Sequence, residues 1–157
     1  MRHPVRDRRR RGFTLIELLI VITVIMIIAT AATFSLPKFL MKSRETAAVT
    51  QIKHLHEAQA MYRSDFGKFA VSLAQLGPSP DGRSSPSSSG LISSDLAQGS
   101  KAGYKFEMQG RPDGYTISAL PNVYNTDGRR SFFSDETMII RENWGPEPAT
   151  ATSPEVK

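Results

Sequence analysis

No cysteine occurs anywhere in the chain, which excludes a disulfide frame, a thiolate metal site and a cysteine nucleophile. Histidine is scarce, limited to His3, His54 and His56. The last two stand two apart, so on a helix they share no face and cannot form the i, i+4 pair of a helical zinc site. No Ser/His/Asp order, nucleophile elbow or framed pair of carboxylates is present, and the phosphate-loop order G-x-x-x-x-G-K-[ST] is missing. The chain therefore reads as a non-enzyme with no resident metal or cofactor.

A lasting excess of charge is missing too. The net charge is +5, but residues 1–12 hold six Arg and one Asp, and the remainder balances 14 Lys and Arg against 14 Asp and Glu. Without its first twelve residues the chain is formally neutral, so charge implies no nucleic-acid partner.

Charge vanishes altogether over residues 18–36, and about 20 uncharged residues in a helix rising ~1.5 Å each cross the hydrocarbon core of a bilayer. Arg8, Arg9, Arg10 and Arg11 stand before this run and hold that flank in the cytoplasm, which puts the C-terminal remainder on the far side. Gly12 separates the arginines from the apolar residues, and a single acid, Glu17, interrupts the run near its start. Two readings of Glu17 stand. It snorkels to the interface, or a cut after Gly12 creates an amine on Phe13, one turn away, that pairs with it in the same or a neighbouring copy.

The segment Gly12-Phe13-Thr14-Leu15-Ile16-Glu17, followed by the long apolar run, resembles the class III signal of type IV pilins and type II secretion pseudopilins. The resemblance implies a leader, residues 1–12, removed by a prepilin peptidase between Gly12 and Phe13. It implies methylation of the Phe13 amine and a subunit-assembly role for Glu17. It further implies an inner-membrane protein with a single span and a periplasmic domain, which then enters an extracellular or periplasmic filament. Its partners would be other copies, other pilins or pseudopilins, the peptidase, an inner-membrane assembly platform and membrane lipid. The absence of cysteine is more usual among pseudopilins and minor pilins than among major pilins. Where the family commonly places its proline, this chain has Phe34, and the proline comes later, at Pro37.

Residues 13–36 are expected to form the transmembrane and assembly helix, with a kink at Pro37. Residues 37–69 continue it as an amphipathic half, making one helix of some 50 residues, about 80 Å long. Ala48, Ile52, Leu55, Ala58, Tyr62 and Phe66 recur at spacings of three and four and mark the face to be buried. Gly67 is its stop.

Residues 70–144 read as a small α+β domain. Leu73 and Leu76 pack in a short turn, residues 77–90 form a mobile loop poor in apolar residues, and Leu91, Ile92 and Leu96 follow in a helical turn. Tyr104, Phe106 and Met108 alternate with charged residues, residues 110–114 turn the chain, and Tyr115, Ile117 and Ala119 alternate in return, which predicts an antiparallel hairpin. Residues 125–128 form a second turn. Phe132 with Phe133, and residues 138–141, are further strands. Asp127, Asp135 and Glu136 offer oxygen ligands, and calcium is weighed there against a solvated turn, no EF-hand spacing being present. Residues 145–157 are read as a flexible tail. The expected fold is a long helix packed on a small antiparallel sheet, pilin-like.

The first reading of function is a structural subunit that polymerises through its apolar helix. The alternative is an exported soluble or membrane-anchored binding protein with an ordinary signal peptide, for which Ala29-Thr30-Ala31 supplies a small-x-small cleavage pattern.

Overall fold

A computed structural model describes residues 12–33, 36–111 and 113–157. Arg8, Arg9, Arg10 and Arg11 lie outside these residues. Two units separate in it, one ending at Leu36 and the other running from Pro37 to the C-terminus.

The first unit holds α1, Leu15–Thr33. Its run of Ile and Val has poor helix propensity in water, because branched side chains lose rotamers against the preceding turn. Where no water is available, a helix is the way one segment satisfies all its own backbone groups. The 19 residues come to about 28 Å. Among the described residues no helix is long and apolar enough to cross a membrane. The span expected over residues 13–36 includes positions 34 and 35, which fall outside them.

In the second unit α2, Leu36–Phe66, lies on a five-stranded sheet. Pro37 occupies the first turn of α2, where its missing amide costs no helical hydrogen bond. The expected face is the buried one: Ala48, Ile52, Leu55 and Tyr62 are fully enclosed, Ala58 nearly so, and Phe66 packs at the margin. Gly67 follows with φ +71°, a left-handed stop suited to glycine.

The short helices α3, Leu73–Leu76, and α4, Ser94–Ala97, lead into the sheet. Its strands are β1 Ser100–Lys101, β2 Tyr104–Arg111, β3 Gly114–Pro121, β4 Arg130–Asp135 and β5 Arg141–Trp144. They pair in chain order, each antiparallel to the next. The predicted β2–β3 hairpin is present and runs further than expected, with Gly110 opposite Tyr115 and Arg111 opposite Gly114. Tyr104, Phe106 and Met108 from β2, Tyr115, Ile117 and Ala119 from β3 and Phe132 from β4 join the helix face in one core. Gly110 is required where β2 meets the chain behind α2, since a Cβ there would fall 2.4 Å from the Val71 Cα.

Three segments differ from expectation. Residues 138–140 are not strand: Met138 takes φ +64°, and β5 begins only at Arg141. Residues 77–90, read as mobile for want of apolar residues, are tied down by backbone and hydroxyl groups. Ser89 N–H donates to Gln75 O, Gly90 N–H to Gly77 O, and the Tyr62 hydroxyl to Pro86 O at 2.7 Å. The tail folds back along β5, with Val156 N–H on Ile140 O, Glu142 N–H on Pro154 O and Ala149 buried.

Candidate functional site

At the start of α1 the sequence Thr14-Leu15-Ile16-Glu17 has the spacing of a capping box. Thr14 accepts the Glu17 amide on its hydroxyl at 3.2 Å, and its carbonyl accepts the Leu18 amide at 3.2 Å. One orphan donor of the helix start is thereby met, and Glu17 is held in the first turn, where the helix dipole favours an anion. Gly12 and Phe13 precede the helix, and the Phe13 ring is 80 % exposed.

Beyond Glu17, α1 is apolar on every side, and each residue from 12 to 30 is exposed. Over residues 18–30 the two threonines turn their hydroxyls onto the helix itself: Thr23 donates to Leu19 O at 2.7 Å, and Thr30 donates to Met26 O. Such a surface needs lipid or other helices around it.

Residues 7–33 match the family described as the prokaryotic N-terminal methylation motif. Over 73 residues the chain is 37 % identical to the type IV major pilin protein PilA of Myxococcus xanthus. Over its N-terminal part the chain is thus similar to type IV pilins. The similar stretch covers 46 % of this chain and only 33 % of that pilin, so the likeness leaves most of the relative's length unmatched. No solved structure matches.

Pilin-like α+β architecture is thus present, a long helical N-terminal region followed by an antiparallel sheet. Gly12, Phe13 and Glu17 come together at the exposed start of α1. The oxygen ligands weighed for calcium do not converge: Asp127 is engaged by Arg44, and Asp135 accepts from the Thr137 amide and hydroxyl. Among the described residues no three His, Asp or Glu side chains form a group fit to hold a metal.

The groups that fasten α2 to the sheet are polar ones that the apolar spacing alone did not single out. Glu45, His56 and Gln59 are all buried on the same helix face as Ile52 and Tyr62. Gln59 accepts the Ala70 amide and donates to the Ala70 carbonyl, both at 2.9 Å, closing the chain behind α2 against the helix.

Glu45 accepts the Arg129 amide on one oxygen and the Arg130 guanidinium on the other, each at 2.8 Å. Arg130 also donates to Glu142 at 2.7 Å and stands over the Phe132 and Trp144 rings. Burial pulls the Arg130 pKa down, but the bonds and charges of Glu142 and Glu45 outweigh it and the net shift is upward.

His56 bridges Tyr115 at 2.7 Å and Ser134 at 2.8 Å. The Ser134 hydroxyl gives its proton to Ile139 O, so it must accept from His56 Nε2–H, which leaves Nδ1 to accept from Tyr115. Burial pushes the Tyr115 pKa up to about 12, which keeps that donor protonated.

Burial lowers the His56 pKa from 6.5, and Asp135 pulls it partly back. In the unfolded chain the imidazole takes a proton near pH 6.5, whereas in the fold it does so only at lower pH. Stability is therefore full above about pH 6.5 and falls as the pH drops below it. Urea midpoints measured from about pH 7.5 down to pH 5 should show this decline, and His56→Gln, which cannot titrate there, should flatten it.

Proposed function

We propose that the chain is the precursor of a filament subunit that polymerises through α1. The exposure of an all-round apolar helix directly behind Gly12, Phe13 and Glu17 is the observation that carries this reading. In the precursor, Arg8, Arg9, Arg10 and Arg11 hold the N-terminus in the cytoplasm while residues 13–36 sit in the inner membrane, with the domain from Pro37 onward in the periplasm. A prepilin peptidase cuts after Gly12, which discards +5 of charge and frees the Phe13 amine. Methylation leaves that amine cationic.

Leaving lipid is costly for one such helix, so α1 helices bundle as they are drawn out by the membrane assembly platform, each covering its neighbours. Glu17 of an incoming copy pairs with a Phe13 amine already in the bundle, and in low dielectric an unpaired charge penalises misregister. Between pilus and secretion pseudopilus, the description of the relative as a major pilin favours the pilus.

Intact-mass and N-terminal analysis of the protein from native membranes tests the reading. The expected product begins at Phe13 and is about 14 Da heavier than its sequence, and it is lost in cells without active prepilin peptidase. A chain beginning at Ala32 would replace this reading with ordinary secretion.

A further inference from the structure

Near the start of α2, a surface groove of about 420 Å³ is lined by Lys38, Met41, Lys42, Glu45, Arg129, Arg130 and Trp144. Its one carboxylate, Glu45, is already taken up by Arg130, which also holds the neighbouring Glu142. Lys38, Lys42 and Arg129 are exposed, and among the described residues neither lysine has a carboxylate partner. The groove is therefore net cationic although the chain past Gly12 is neutral. Trp144, the single tryptophan of the chain, is 65 % exposed there. An exposed indole is ordinarily loose, but this one donates to Glu142 at 3.2 Å and lies under the Arg130 guanidinium, 5.1 Å from the ring centre. It is an apolar plate held outward among amines. Phe39 and Leu40, beside these lysines in sequence, are also largely exposed.

We infer that this surface is a docking site for the anionic phospholipid headgroups of the bilayer that holds the helix. The inference rests on the proposed span over residues 13–36. Lys38 follows that span by two residues, so chain connectivity keeps it at headgroup depth. Ammonium groups meeting phosphates, with an indole at the polar boundary, is the chemistry of a membrane interface. Docked this way, the domain lies against the membrane before assembly, and salt or loss of the lysines releases it.

Trp144 is its own reporter. The full chain, reconstituted into vesicles of phosphatidylcholine with or without phosphatidylglycerol, is read by Trp144 emission and by quenching from brominated lipid. Vesicles with phosphatidylglycerol should shift the emission to the blue and quench it. Lys38→Gln and Lys42→Gln should each lower the docked-to-free ratio about fivefold, and about 1 M salt should abolish docking. Emission that stays at its water-exposed value in anionic vesicles overturns the inference, as does equal quenching in neutral vesicles. A shift produced by inorganic phosphate without vesicles also overturns it, by showing a free-anion site. Alkaline extraction of the same samples separates the two failures: a chain washed from the vesicles refutes the span, and a chain that stays inserted with Trp144 unquenched refutes only the docking.

Discussion

Glu17→Ala is expected to yield a stable, processed subunit that fails to enter filaments. Glu17 is the only charge in α1, and in a bundle of such helices the Phe13 amine of a neighbour has no other anion within the apolar layer. Removing one partner of a pair in low dielectric costs about 3 to 5 kcal/mol, because the other charge is left stranded. That is roughly a hundredfold to a few thousandfold in the equilibrium for adding each subunit. Sheared-filament yield against total cellular subunit measures it. Thr14→Ala separates charge from helix capping, since it removes the hydroxyl that receives the Glu17 amide and should cost only about 1 kcal/mol. Wild-type filament yield from Glu17→Ala would dismiss the pairing and leave Glu17 as a cap residue.

Arg130→Ala should be the most damaging single change in the domain that begins at Pro37. The variant leaves Glu45 and Glu142, both largely buried, facing each other without their shared cation, and removes the stacking on Phe132 and Trp144. A loss of about 3 to 5 kcal/mol is expected, a large share of the 5 to 15 kcal/mol by which domains are stable. In urea that corresponds to a midpoint lower by roughly 2 M at a slope of 1 to 3 kcal/mol per M. A midpoint shift of under about 0.5 M would mean that water enters and solvates both carboxylates.

The parts of the fold written in periodicity were legible in the sequence. Ala48, Ile52, Leu55, Ala58 and Tyr62 fall on the buried face of α2 because three-and-four spacing has one geometric meaning, and the β2–β3 hairpin follows from alternation around Gly110 and Gly114. Legibility failed where a contact joins distant residues of unlike type. Glu45, His56 and Gln59 share the wheel positions of Ala48, Ile52 and Leu55, so extending that stripe to polar residues would have found them. Their partners Arg130, Ser134 and Ala70 have no sequence signal. Residues 138–141 read as a strand because Met-Ile-Ile is apolar, yet the pairing is made by Arg-Glu-Asn-Trp, held by Arg130 and by the returning tail. Gly12, Phe13 and Glu17 were legible as a local motif, since they need no fold to bring them together.

The inward-turned hydroxyls of Thr23 and Thr30 have a mechanical consequence. With both bonded to their own helix, residues 18–30 of α1 offer neighbours almost nothing but apolar surface. Contacts of that kind resist being pulled apart, because separation wets them, but they grip weakly along the helix axis, where one methyl group serves as well as the next. A rope of these helices would yield to tension by slip between strands rather than by fracture. Its elasticity would then be set by how few directional bonds each strand carries.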